Sequence, residues 1–254
     1  MIERANTLEE VIANLDTIID ISKTENRREA YFAVLYKLVT LTVQERCEAG
    51  LFEDNARMEK LDVIFANRYF DAWQAFHNND EHLSLCWEVA FRACKSRWAL
   101  VLQHLLLGMN AHIGLDLGVA VSEVSGGTLD ESLRRDFDTL NDILAELTGG
   151  VQAKIGAISP YIGFLDRLGG ESDTALVTYN MKIARDTAWA FAEQLTCTTP
   201  ASCAAAIKSR DRTVARYSMA MYQPSFPVSF YVFVISLFEK RNVGKVIQAL
   251  VGED

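Results

Sequence analysis

Proline is scarce in this chain, and its placement constrains the fold more than any other feature of the sequence. The 254 residues contain four prolines, at positions 160, 200, 224 and 227. Proline breaks a helix interior because it lacks an amide hydrogen and clashes with the preceding turn. Apolar residues recur at helical spacing along the proline-free stretches, while strand signals are weak. The sequence therefore predicts an all-α protein.

Local signals mark where several helices begin. Thr7–Glu10 and Thr128–Glu131 each have the spacing of a capping box, in which two side chains satisfy exposed amides of the first turn. Asp54 is placed to cap a third helix. Thr199 precedes Pro200, a favoured pairing of capping residue and first helical residue. We expect helices to start at all four places.

Glycines predict most of the ends. The helix that opens at Thr128 is expected to stop at Gly149-Gly150, and a helix from Leu83 is expected to run unbroken to Val124. A short helix should follow Pro160, and another should cover residues 172–195. No flexible linker or fixed-period repeat divides the chain. We therefore predict a single α-helical domain over residues 1–254, built as an irregular bundle of about eight to ten helices.

Charge and hydropathy argue against two kinds of partner. The net charge is −9 with an isoelectric point near 5.0, whereas nucleic-acid binders are usually basic. An acidic total also disfavours anionic membrane surfaces. Residues 98–115 carry no formal charge and could cross a bilayer by length, but they include Gln103 and His104, which are costly in lipid. We predict a core helix there, no membrane span and no nucleic-acid partner.

The cysteines favour a reducing compartment. There are five of them, an odd number without CxxC spacing, and several lie in apolar helical surroundings. Free, buried thiols are the expected result. The first residues also lack the basic-then-apolar pattern of a signal peptide. The predicted location is the cytoplasm.

One pair of polar residues on an otherwise apolar helix carries the main functional hypothesis. His112 and Asp116 are four residues apart, so they lie one turn apart on one helix face. Such a pair can share a metal ion, can act as a base oriented by a carboxylate, or can form a buried hydrogen bond that only joins helices. All three readings stay open at this point. Gly108 and Gly114, on the same helix, predict close approach by a neighbouring helix or a ligand.

Other residues are candidates for the same site. Asp62 is flanked by apolar residues and is expected to be an interior carboxylate that acts as a base or as a further metal ligand. Asn110 is a candidate substrate-orienting amide. His104 is too far along the helix to share an ion with His112 and is expected to be a core histidine or an outer part of the site. For Asn141, a role in packing and a role in the site are equally good interpretations.

Several of these segments together resemble a known family. Phe52–Asp54, Leu61–Ala66, Gly108–Ile113 and Asp116-Leu117 are similar to a family of bacterial and fungal proteins catalogued only as a domain of unknown function. Tyr36–Thr40, Phe137 and Asn141 extend the resemblance to roughly residues 30–195. That family often has asparagine at the position of Gly114 and proline at that of Gly118. The resemblance implies an all-helical fold but neither an activity nor a cofactor.

Two function classes follow. The leading hypothesis is a metal-dependent hydrolase-like enzyme, with His112 and Asp116 as ligands of a divalent cation such as zinc and a metal-bound water as nucleophile. In it Asp62 and His112 are the catalytic candidates, and Asn110, His104 and Asn141 are the candidates for binding a small-molecule substrate. The alternative is a non-catalytic helical protein that binds an apolar small molecule or a partner chain, with a structural His–Asp pair. The sequence does not decide the oligomeric state.

Overall fold

The structure is a computed structural model that describes residues 2–163, 179–197 and 199–252; the side chains of residues 141 and 145–152 are not described. Within these ranges the protein consists of helices and connecting loops, without a β-strand. This confirms the predicted all-α class. Of the helix predicted over residues 172–195, the described part is helical only from Met181, where the Asn180 side chain caps it, and residues 172–178 lie outside the described ranges. The short helix predicted after Pro160 lies outside them from residue 164 onward.

Eleven α-helices and one π-helical turn make up this part of the chain. They are α1 (Leu8–Thr24), α2 (Ala30–Glu48), α3 (Asn55–His77), α4 (Leu85–Ala93), α5 (Val101–Ala111), the π segment (His112–Leu117), α6 (Gly118–Val124), α7 (Glu131–Ile158), α8 (Met181–Thr196), α9 (Pro200–Tyr222), α10 (Val228–Phe238) and α11 (Val243–Val251). The side chains of Thr7, Asp54 and Thr199 each accept an amide hydrogen bond at the start of a helix, as predicted.

The predicted continuous helix from Leu83 to Val124 is wrong, because the chain turns between α4 and α5. Neither glycine nor proline marks this break. Instead, one side chain of α5 and one distant side chain satisfy the first amides: Gln103 Oε1 accepts from Leu100 N at 3.0 Å, and Glu239 Oε2 accepts from Val101 N at 3.0 Å. A helix can begin there because these groups replace the hydrogen bonds that a continuous helix would supply.

Helix α7 differs from its prediction at both ends. Its N-terminal cap is Asp130, whose side chain accepts from Leu133 N, rather than Thr128. It also continues through Gly149-Gly150 to Ile158. Two mid-helix glycines cost up to about 1 kcal/mol each relative to alanine. Contacts of the last turns offset that cost, since Lys154 Nζ donates to two carbonyls at the end of α11 and Ile158 is fully buried.

A central column of α5, the π segment and α6 runs through the protein. It contacts α2, α3, α4, α8 and α9. The column, Val101–Val124, is the one stretch of the described chain long and apolar enough to cross a membrane, and 83% of its most apolar window is buried inside the fold. Such burial is typical of a core helix, so the described residues show no clear membrane span.

Neighbouring helices approach this column closely at its glycines. A Cβ added at Gly108 would lie 2.5 Å from the Phe32 ring, and one at Gly114 would lie 3.1 Å from the Val214 methyl groups. The predicted close approach is therefore present at both positions. All five cysteines are free, as expected. The expectation that they are buried holds for Cys47 and Cys86, whereas Cys197 is exposed.

Candidate functional site

The central column changes its winding where the candidate residues lie. His112–Leu117 forms a π-helical turn between α5 and α6. A π turn closes wider rings than an α-helix and is rare, and it frequently lies at a functional site. A hydrogen bond from another helix stabilises this π turn, since Arg210 Nε of α9 donates to the Gly114 carbonyl at 2.7 Å. Both His112 and Asp116 belong to this turn.

His112 and Asp116 form a buried hydrogen-bonded pair, as their spacing predicted. The distance from His112 Nδ1 to Asp116 Oδ2 is 3.2 Å. Asp116 also accepts a hydrogen bond from Trp87 Nε1 of α4, at 2.8 Å to the same oxygen, and one from Arg68 Nε of α3, at 3.0 Å to Oδ1. One carboxylate therefore connects the π segment to two other helices.

These donors keep Asp116 ionised. Burial raises the pKa of its carboxyl, but the Arg68 charge and the hydrogen bonds from His112 and Trp87 outweigh burial, so its pKa lies below the ordinary value. An ionised carboxylate accepts hydrogen bonds only, so His112 Nδ1 must carry a proton and donate to Asp116.

His112 itself is neutral, with one free ring nitrogen. Burial lowers its pKa, and this effect exceeds the opposing attraction of Asp116. The proton on Nδ1 leaves a lone pair on Nε2. That atom is buried and has no hydrogen-bond partner. A histidine oriented by a carboxylate on one side and free on the other is arranged as a general base.

Aromatic rings enclose the imidazole. Phe65 stacks on it in parallel, with ring centroids 3.4 Å apart, and Tyr36 lies edge-on with centroids 4.7 Å apart. Phe32, Tyr69 and Trp87 complete the enclosure at centroid distances of 5.7, 6.1 and 5.9 Å. This apolar surrounding excludes bulk water and strengthens the electrostatic interactions within it.

Further unpartnered polar atoms lie beside this enclosure. They are Tyr36 Oη, Thr40 Oγ1, Asp62 Oδ2 and Tyr69 Oη, all buried without a hydrogen bond by geometry. Asp62 and Thr40 interact with each other. Burial, and after it the charges of Asp62 and Asp116, raise the pKa of the Tyr36 hydroxyl. With His112 Nε2 these atoms form what we call the polar cluster.

Asp62 is the titratable acid of the polar cluster. Burial raises the pKa of its carboxyl from 3.8 to about 7, and the neighbouring Thr40 opposes that rise only in part. Its side chain thus gains or loses a proton near neutral pH. The predicted interior carboxylate is present, on α3 one turn before the Phe65 that stacks on His112.

Comparison with known proteins assigns the chain to a family. Residues 8–224 match the model of DUF5995, a family of unknown function. The chain belongs to DUF5995. This agrees with the predicted resemblance and its helical character. No curated protein and no solved structure matches the chain.

Two other candidates of this DUF5995 chain are placed differently from the polar cluster. Asn110 Nδ2 donates to the Val214 carbonyl at 3.1 Å and to Ser218 Oγ at 2.9 Å, so its amide joins the column to α9. His104 lies beside Tyr31, and burial lowers its pKa to about 3. The Asn141 side chain lies outside the described residues.

The described part of the chain holds no ligand set for the predicted metal ion. No group of three or more His, Cys, Asp or Glu residues is placed there to hold an ion. Asp116, the predicted ligand, already accepts from the Arg68 guanidinium on Oδ1 and from Trp87 on Oδ2. A cation would have to displace these donors and lie next to a positive charge. The described residues thus hold no metal-binding group around His112 and Asp116.

Sequence reasoning found the centre of this arrangement but missed its surroundings. Tyr36 and Thr40 are one turn apart on α2, and two hydroxyls at that spacing on a mostly apolar helix were a usable signal. Arg68 and Trp87 carry no such signal, because nothing in the sequence near them indicates that they reach Asp116.

Proposed function

We propose that the protein is a cytoplasmic enzyme that performs metal-free general acid–base chemistry on a small molecule at the polar cluster. His112 Nε2 is the base, Asp116 holds its orientation and tautomer, and Asp62 is the second proton-transferring group. The observation that carries the proposal is the unpartnered, buried His112 Nε2 on a histidine whose other nitrogen is fixed by a carboxylate. Five free cysteines support the reducing compartment.

Energetics favour an occupant for this cluster. A buried polar atom without a partner costs about 1–3 kcal/mol. Asp62 and Thr40 interact with each other, and the cluster holds one ring nitrogen, His112 Nε2, and two tyrosine hydroxyls in that condition. A natural fold does not leave so many polar atoms unsatisfied at one place without ordered water or a polar ligand to bind them. A small polar substrate with a water molecule fits this requirement.

Hydrolysis uses all of these groups. His112 Nε2 would take a proton from a water molecule whose oxygen attacks the substrate. The protonated Asp62 would donate its proton to the leaving oxygen or nitrogen. The proton on His112 would then return to Asp62 through the bound water, which restores both groups. Unpaired tyrosine hydroxyls, Tyr36 and Tyr69, are available to donate to a developing negative charge.

A second function is favoured by one specific observation. Both oxygens of Asp116 are already bonded, and they tie α3, α4 and the π segment together. If that linkage is the whole purpose of the pair, the chain is a non-catalytic helical protein. The free His112 Nε2 contributes nothing to such a linkage, and for this reason we favour the enzyme.

Turnover of a substrate panel by matched histidine variants tests the proposal. Esters, amides, phosphoesters and glycosides are offered to wild-type protein, to His112→Gln and to His82→Gln, whose histidine is exposed on the surface. Removal of a general base predicts a loss of about 10²–10⁴-fold in His112→Gln. His82→Gln should match the wild type. Turnover that survives in folded His112→Gln would refute the assigned role.

A further inference from the structure

The outer face of α10 is strongly apolar. No charged residue occurs between Tyr217 and Phe238 in the sequence. Phe230, Phe233 and Leu237 follow one another at helical spacing, with exposures of 55, 49 and 50%, and therefore form one stripe directed away from the core along α10. Phe226, in the turn just before α10, is 81% exposed.

Neighbouring elements widen this stripe. The Trp98 ring, exposed in the loop between α4 and α5, lies 5.7 Å from the ring of Phe233. Phe238, at the end of α10, is 58% exposed and lies 5.1 Å from Tyr161. We call Phe226, Phe230, Phe233, Leu237, Phe238 and Trp98 the aromatic face. Contiguous exposed apolar side chains of this kind mark an interaction surface.

Basic side chains border the aromatic face. The guanidinium groups of Arg97 and Arg241 lie over the Trp98 ring, at 4.7 and 4.8 Å from its centroid. Lys240 is exposed at the end of α10. The adjacent acid, Glu239, points inward and accepts a hydrogen bond from Val101 N. Burial raises the pKa of its carboxyl to about 7. This border is basic although the whole chain carries a net charge of −9.

We propose that the aromatic face docks onto the surface of an anionic lipid bilayer. Its phenylalanine and leucine side chains would enter the boundary between headgroups and acyl chains, as the apolar side of an interfacial helix does. Trp98 would lie at headgroup level, where tryptophan is enriched. Arg97, Lys240 and Arg241 would pair with lipid phosphates and acidic headgroups, each strengthening attraction to a negative leaflet.

The charge pattern favours this occupant over a second copy of the chain. In a symmetric dimer the same patch meets itself, so the basic border of one copy would face that of the other. No exposed carboxylate lies next to Lys240 and Arg241 in the described sequence to offset this repulsion, since Glu239 is turned inward. A bilayer of anionic lipid supplies both apolar depth and opposite charge.

Vesicle binding tests this inference independently of catalysis. Wild-type protein is sedimented with vesicles of phosphatidylcholine alone and of phosphatidylcholine mixed with phosphatidylserine, at low and high salt. Two variants are compared: Phe230→Ser/Phe233→Ser, which removes two side chains of the face, and Ile183→Ser, a control at a residue 63% exposed on α8. A third variant, Arg97→Gln/Lys240→Gln, tests the border. Circular dichroism checks that each variant is folded.

Binding is expected to require phosphatidylserine and to weaken at high salt. Phe230→Ser/Phe233→Ser should lower the partition coefficient by about tenfold or more, because each removed side chain would otherwise be buried in lipid. Arg97→Gln/Lys240→Gln should lower it for the anionic vesicles, and Ile183→Ser should leave it unchanged. Equal sedimentation with and without phosphatidylserine would overturn the inference. So would a dimer in sedimentation velocity that Phe230→Ser/Phe233→Ser abolishes while vesicle binding is absent.

Discussion

The Asp116→Asn substitution probes the carboxylate that organises the candidate site. In the wild type, three N–H donors, from Arg68, Trp87 and His112, are directed at two carboxylate oxygens. Asparagine offers one oxygen and one NH₂ group. Whichever way the amide is turned, its hydrogens oppose at least one donor, and the Arg68 charge loses its counterion.

The size of the effect follows from this geometry. Removing one partner of a buried ion pair costs about 3–5 kcal/mol. The Arg68 side chain is 29% exposed, so water can partly replace the lost carboxylate. We therefore expect the free energy of unfolding to fall by about 2–4 kcal/mol. For a chain of this size that corresponds to a drop in Tm of roughly 5–12 °C.

Urea and thermal unfolding at neutral pH measure this difference. Asp71→Asn is the matched control, because Asp71 lies on the same helix as Arg68 but pairs with Arg4 on the surface, at 3.8 Å. Its free energy of unfolding should change by no more than about 0.5 kcal/mol. A change below about 1 kcal/mol in Asp116→Asn would refute the view that Asp116 is a buried, ionised partner.

Acidification gives an independent check on the same carboxylate. The pKa of Asp116 is lowered in the folded state, so its contribution is present above the unfolded-state pKa. It is lost as the pH falls through the folded-state pKa. The stability difference between wild type and Asp116→Asn should therefore shrink in acid. The His112 ring nitrogens, followed by nitrogen NMR, should show a neutral Nδ1–H tautomer in the wild type at neutral pH.

Three further predictions test other parts of the structure. Because burial raises the pKa of Asp62 from 3.8 to about 7, its contribution to stability should decline as the pH rises between these values and then level off. Asp62→Asn should make the decline shallower in urea unfolding series, and the part due to Glu239, whose pKa is raised likewise, should remain. Gly108→Ala places a Cβ 2.5 Å from the Phe32 ring and should lower the free energy of unfolding by about 1–3 kcal/mol. In the control Gly156→Ala the new Cβ meets nothing within 4 Å, and the free energy of unfolding should rise by up to about 1 kcal/mol. Asn110→Ala should lower stability by about 1–3 kcal/mol, since it leaves groups of α9 unpaired, while the NMR tautomer of His112 stays unchanged.

The helices were predictable where their signals are local. Thr7, Asp54 and Thr199 cap helices by accepting from amides three residues away, so a short window of sequence contains the whole interaction. The break before α5 depends on Glu239, which is 138 residues from its partner Val101. No local pattern reveals such a partner. That the whole chain forms one domain stays a prediction.

The candidate site divides in the same way. His112 and Asp116 were predictable because their contact lies within one helical turn, and the π winding preserves it. The winding itself was not predictable, since it is stabilised by Arg210, 96 residues from the carbonyl of Gly114 that it bonds. The metal hypothesis arose from the pair alone. The Arg68 and Trp87 donors on the two Asp116 oxygens argue against it.

The π segment connects the stability of the fold to the proposed chemistry. A π turn is less favourable than the α-helix it interrupts and persists where its surroundings stabilise it. Here Arg210 holds its Gly114 carbonyl, while Arg68 and Trp87 hold its Asp116 carboxylate. These contacts leave His112 Nε2 unbonded inside an aromatic enclosure. A structural His–Asp link would need the carboxylate contacts alone, so the free His112 Nε2 is the feature that a function must explain.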